Sequence, residues 1–219
     1  MSKEFLKRFL STIFLLPLTF YIVLTGNFLF NSFIFICFLI SFFEWYKFKN
    51  NIFLKFLGFI FIIYSFYSIL KIRNYFPEND KNIYFFLLIL IICIFTDIGG
   101  YTFGKIFKGP KFSHISPNKT YSGLLGSFIL SFIASILYLR LNSLMNYSQE
   151  LNISMIFFIL IVSAVSQCGD LIISYFKRKS NLKDTGNLIP GHGGLLDRID
   201  GMIFVFPFLN ISINLFNFQ

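Results

Sequence analysis

Charge is what this chain has least of. Of its 219 residues, 13% are Asp, Glu, Lys or Arg, about half the share carried by a soluble domain. Too few polar side chains remain to cover a water-soluble globule, so the chain reads as an integral membrane protein. Cysteine is scarce as well. Cys37, Cys93 and Cys168 all lie within apolar segments, and no pair has disulfide or metal-ligand spacing. That excludes a disulfide scaffold and a thiolate metal centre. His192 has no His or Cys beside it at metal-ligand spacing, which makes it a poor transition-metal ligand. No Ser-His-Asp set and no Cys-His pair is visible, so covalent catalysis of those kinds is not indicated. No internal repeat, linker or separable soluble region can be marked, and residues 1–219 read as a single membrane domain. Lys3, Lys7 and Arg8 precede an apolar run, but no small-x-small cleavage pattern follows, so the run is expected to remain as a first span.

What the chain does have is phenylalanine, 34 copies within a hydrophobic total of 56%. Seven apolar segments stand out, at roughly 9–24, 28–46, 56–70, 83–96, 121–139, 153–176 and 202–218. About 20 helical residues span a bilayer's hydrocarbon core. The expected fold is therefore all-α, a polytopic helix bundle of about seven spans lying in the lipid bilayer. The first, third and fourth segments are short for a span.

Charge placement supports the alternation. With the N-terminus in the cytoplasm, one side of the membrane collects Lys3, Lys7 and Arg8; Lys47, Lys49 and Lys55; Lys105, Lys108, Lys111 and Lys119; and Lys177, Arg178, Lys179, Lys183 and Arg198. The other side keeps Lys71, Arg73, Lys81 and Arg140, completing the 19 basic residues. This is the positive-inside asymmetry. It gives the net charge of +9 a use in topology and phosphate binding, and no nucleic-acid partner is expected. Glu44, Trp45 and Tyr46 close the second segment as an interfacial anchor. The polar connections near 97–120 and 177–200 fall on the same side and can share one site.

The densest polar stretch is 174–201, SYFKRKSNLKDTGNLIPGHGGLLDRIDG. Just before and within it, Asp170, Ser174 and Lys177 share one helical face at i, i+4 and i+7. A carboxylate inside a membrane helix is costly unless it is paired or bound to a cation. Asp197 and Asp200, at i and i+3, precede the last segment. Helix capping explains one of them well and two less well. Together with Asp170 they make a hard, oxygen-rich site that suits Mg²⁺, which takes one or two carboxylates and completes its shell with water and phosphate. Asp170 and Asp197 are expected to act through that ion rather than by supporting the fold. Gly193 and Gly194, in the run Pro190–Gly194, allow backbone amides to approach an anion, although a tight turn explains the same residues. Lys119 and Thr120 open the fifth segment, where a helix N-terminus favours anions. The spacing is not that of a P-loop. Asp97 sits at the end of the fourth segment. The chemistry these groups fit is metal-assisted transfer on phosphates.

These residues resemble a known family. Ser174, Lys177-Arg178, Lys183-Asp184, Gly186, Pro190, His192-Gly193-Gly194, Asp197-Arg198 and Asp200 fill the signature of the phosphatidate cytidylyltransferases, also called CDP-diacylglycerol synthases. Gly169-Asp170-Leu171, Asp97…Gly100-Tyr101…Gly104-Lys105, Ser116-Pro117…Lys119-Thr120…Gly123 and Glu44-Trp45 are similar to further family motifs. Ser122 stands where the family often has Glu or Gln, and Tyr121 where Trp is common, so neither enters the expected site. The resemblance implies that CTP and phosphatidic acid react to CDP-diacylglycerol and diphosphate. It implies Mg²⁺ on Asp170 and Asp197 with Asp200 nearby, and a monovalent cation such as K⁺ sharing the centre. Asp170, Asp197, Lys177 and Arg198 become the expected catalytic residues. Lys119, Thr120, Ser174, Arg178, Lys183, His192, Gly193 and Gly194 become the expected substrate-binding ones. It further implies a bacterial cytoplasmic (inner) membrane location and a homodimer. A CTP-dependent lipid kinase would use similar residues. A transporter would place its charge near the midplane on repeated halves, a pattern not visible here.

Overall fold

The computed structural model describes residues 17–74, 81–111, 119–143, 152–188 and 193–216. A helical run at 17–25 (α1) is followed by α2 (Asn27–Tyr46), α3 (Ile52–Arg73), α4 (Lys81–Phe107), α5 (Tyr121–Ser143), α6 (Ile153–Lys179), the single-turn α7 (Leu196–Ile199) and α8 (Met202–Phe216). No strand occurs among the described residues; Lys111 and Thr120 pair in an isolated antiparallel bridge. The protein is an all-α membrane bundle, and five of its helices, α2 to α6, are long and apolar enough to cross a bilayer. The fifteen residues of α8 rise only about 22 Å. The start of the expected first span, with Lys3, Lys7 and Arg8, lies outside the described residues.

Two segments that look short in sequence are not short in the fold. The third extends from Ile52 to Arg73 and the fourth runs on to Phe107. The stretch from Asp97 to Phe107, expected as part of a polar connection, is therefore helix. Its continuation is held by close packing against α5. A Cβ on Gly99 would collide with the carbonyl of Gly126, so the two backbones touch where neither residue has a side chain. Such contact is how helices associate inside lipid, where water provides no drive to join apolar faces.

Polar threads cross the bundle below the site. Thr96 Oγ1 donates to Ser163 Oγ at 2.9 Å, and Ser127 Oγ donates to the Thr96 carbonyl at 2.7 Å, joining α4, α5 and α6. Asn210 Nδ2 donates to Tyr64 Oη at 3.1 Å and Ser68 Oγ at 3.2 Å, joining α8 to α3. Each satisfies groups that would otherwise be orphaned in low dielectric. Trp45 is not an interfacial anchor. It is 4% exposed, packs edge-on against Phe48 and Phe176, and donates Nε1–H to the Lys55 carbonyl at 3.1 Å. Tyr46 does point outward. The alternation brings the C-termini of α2, α4 and α6 to the same end of the bundle as the N-termini of α3, α5 and α8.

Candidate active site

At that end a cavity of about 520 Å³ opens between α4, α5, α6, Asp184 and the backbone at 197–200. Asp97, Asp170, Asp184, Asp197 and Asp200 line it together with Lys119, Thr120, Lys177 and Arg198. α4 supplies Asp97, the last turns of α6 supply Asp170 and Lys177, and the entry to α5 supplies Lys119 and Thr120. Thr120 caps α5: its Oγ1 accepts the Gly123 amide at 3.1 Å, and the Tyr121 amide donates to the Pro110 carbonyl at 3.1 Å.

The aspartates have different surroundings. Asp170 forms an ion pair with Lys119 at 2.5 Å, and Ser174 Oγ donates to its Oδ1 at 3.2 Å. Asp197 is held far more tightly. Lys177 Nζ donates to Oδ1 at 2.7 Å, while Oδ2 accepts the Thr185 amide at 2.7 Å, the Gly194 amide at 3.0 Å and the Thr185 hydroxyl at 3.0 Å. Burial raises its carboxyl, but the Lys177 and amide hydrogen bonds outweigh that and hold it below the ordinary value. These bonds tie Asp197 into the local fold, and its Oδ1 still faces the cavity side through Lys177. Asp200 is 6% exposed and accepts the Gly201 amide at 2.9 Å. Burial pushes its carboxyl well above the carboxylate range, and the negative charges of Asp170 and Asp97 push the same way.

A turn shaped by glycine presents these groups. Gly193 has φ +87°, in the region that side chains disfavour. A Cβ on Gly194 would lie 2.7 Å from both carboxylate oxygens of Glu44. Glu44, at the end of α2, is thus part of the structure around the site. The Thr185 hydroxyl lies 2.7 Å from Glu44 Oε2, the Leu195 amide donates to Oε1 at 2.9 Å and the Leu196 amide to Oε2 at 2.8 Å.

The sequence of the chain matches the Cytidylyltransferase family over residues 49–216. The chain belongs to that family. Phosphatidate cytidylyltransferase of Staphylococcus haemolyticus is 37% identical to it over 141 residues, 64% of this chain and 52% of the relative. The enzyme of that name from Staphylococcus aureus strain COL is 36% identical over 143 residues, with the same shares covered. The one from Rickettsia bellii is 37% identical over 169 residues, 76% of this chain and 72% of the relative. The chain spans about half the length of the staphylococcal relatives it matches.

Of the residues singled out in sequence, this cytidylyltransferase-family fold gathers Asp170, Asp197, Asp200, Lys119, Thr120, Lys177 and Arg198 around one cavity. Ser174 is buried and faces Asp170, so it orients that carboxylate. Gly193 and Gly194 shape the turn. Arg178 and Lys183 are exposed and do not line the cavity. His192, with Pro190, Gly191 and residues 116–118, lies outside the described residues. Asp97 and Asp184 line the cavity although the expected site omitted them. Asp97 had a signal, an acid at the end of an apolar segment. Asp184 had only its place in the family signature.

The donor set fits a hard cation in part. Among the described residues no three His, Cys, Asp or Glu side chains form a ready-made ligand group. Mg²⁺ needs no such cage when phosphate and water complete its shell. Asp170 and Asp200 bring two carboxyl groups together at the cavity wall, a pair of hard oxygen donors. Asp197 has one oxygen, Oδ1, with a single donor, and the other already accepts three.

Proposed function

We propose that the protein transfers the cytidylyl group of CTP to phosphatidic acid, giving CDP-diacylglycerol and diphosphate. The observation that carries this is the cavity in which cationic Lys119, Lys177 and Arg198 face a carboxylate cluster at one end of a membrane bundle. A lipid phosphate oxygen attacks the α-phosphorus of CTP; a new P–O bond forms as the α–β bridging P–O bond breaks, and diphosphate carries away the electron pair. The lipid phosphate is already ionised near neutral pH, so the site needs charge neutralisation and in-line placement more than a strong base.

Lys119 holds phosphate oxygens through its ammonium, next to the positive N-terminal end of α5. Lys177, kept in place by Asp197, and Arg198 stabilise the charge gathering on the departing diphosphate. Ser174 keeps Asp170 aimed into the cavity. Bound Mg²⁺, held by Asp170 and Asp200 with Asp197 Oδ1 adjoining, would neutralise the triphosphate and polarise the α-phosphate; K⁺ is proposed as a companion ion. The acyl chains stay in the bilayer. The site end is assigned to the cytoplasmic side of a bacterial inner membrane, with the N-terminus on that side, because most Lys and Arg gather there.

The test labels CTP separately at the α- and γ-phosphates and follows the lipid product. The α-label and the cytidine are expected in lipid, with the γ-label released in diphosphate. Recovery of the γ-label in lipid without cytidine would replace this reading with a lipid kinase.

A further inference from the structure

Glu44 is a buried carboxylate that the transfer chemistry does not use. It is 3% exposed at the last turn of α2, and its partners lie 141 to 152 residues away in sequence. Its two oxygens accept the Leu195 and Leu196 amides and the Thr185 hydroxyl. The single hydroxyl proton of Thr185 sits between Glu44 Oε2 at 2.7 Å and Asp197 Oδ2 at 3.0 Å. The Thr185 amide binds Asp197, and so does the Gly194 amide. Glycine at 186 and 194 leaves room for the Glu44 side chain: a Cβ at either would lie 2.7 Å from its Oε1. Two carboxylates from distant parts of the chain thus grip the same turn, and one of them holds Lys177.

We propose that Glu44 is a positioning residue for the nucleotide site. It anchors Thr185 and the 194–196 backbone to α2, and through Thr185 and Gly194 it sets Asp197 and therefore the Lys177 ammonium at the cavity wall. Its effect on transfer rests on the function proposed above. Its effect on the turn does not.

Glu44→Gln keeps the side chain's shape but replaces one acceptor with an NH₂ group, which would face a backbone N–H. One turn amide then loses its partner, a hydrogen bond to a charged group. Thr185→Val removes the hydroxyl from the other side and serves as the second variant. Hydrogen exchange on the purified full chain should quicken about tenfold or more at the amides of Thr185 and 194–196 in both variants, with α5 unchanged. CTP affinity, measured by equilibrium dialysis with Mg²⁺, should weaken about tenfold, and the apparent KM for CTP should rise in step. Loss of folded protein would lower the rate without moving either constant. Parental exchange in folded Glu44→Gln and Thr185→Val overturns the proposal, and so does faster exchange with parental CTP affinity. If the parent binds CTP but makes no CDP-lipid, the assigned reaction fails while affinity and exchange still decide the role of Glu44. If the parent binds no CTP, exchange alone decides whether Glu44 holds the turn.

Discussion

The Lys177–Asp197 pair offers the sharpest test of how the site is built. Their side chains are 11% and 7% exposed, so solvent screens the pair little. Replacing Asp197 with Asn leaves a buried ammonium without its counter-charge, at a cost of about 3–5 kcal/mol. For a chain of this size, that lowers an unfolding midpoint by roughly 6–20 °C. Lys177→Met keeps the aliphatic stem and strands the carboxylate instead, although three donors still hold it. In the double variant neither charge is stranded, so its midpoint should lie above that of Asp197→Asn. The chain carries its own probe. Trp45 is its single tryptophan and packs on Phe176, next to Lys177 in α6, so intrinsic fluorescence in detergent follows this junction. Acid adds a second readout. Asp197 titrates below the ordinary 3.8, so its stabilisation is complete above that value and disappears as pH falls through the lower folded value. Without Lys177 the loss should begin at higher pH. Additive midpoint losses in the double variant, or unchanged acid behaviour in Lys177→Met, would refute the coupling.

Asp170→Asn and Asp200→Asn should each lower turnover by about two to three powers of ten, the loss expected from one key electrostatic contact, while eluting like the parent. Chelation should abolish transfer and added Mg²⁺ restore it; full activity in chelator would remove the ion from the scheme. Gly99→Ala should cost about 1–3 kcal/mol, read as a lower midpoint, because its Cβ meets fixed backbone of α5. Gly100→Ala, whose Cβ would meet the Ser127 hydroxyl at 2.9 Å, should disturb that hydroxyl's bond to the Thr96 carbonyl and lower the midpoint as well. Single cysteines at Lys108 and Asn187, in a background without the native three, should react only from the cytoplasmic side; labelling from outside would invert the assigned topology.

The amino-acid sequence by itself determined the class of fold and the address of the site. Long apolar runs have no alternative to helices in lipid, because every backbone amide must be satisfied within its own segment. Charge alternation fixed which connections share a side. A dense polar stretch in so apolar a chain marked Asp170, Lys177, Asp197 and Asp200, which do meet at one cavity. Sequence periodicity reports an apolar environment but not whether lipid or protein supplies it, so Trp45 read as an interfacial anchor although it is buried. Hydropathy also ends a helix where polar residues begin. The turns of α4 beyond Asp97 were therefore hidden, since backbone contact with α5, and not apolar side chains, sustains them. The division of labour among the carboxylates was decided only in three dimensions. Asp197 is occupied by Lys177 and three donors, Asp200 is buried beside Asp170, and Glu44 reaches a turn some 150 residues away. Those differences arise from which donors the fold brings within hydrogen-bond distance, and spacing along the chain carries no record of them.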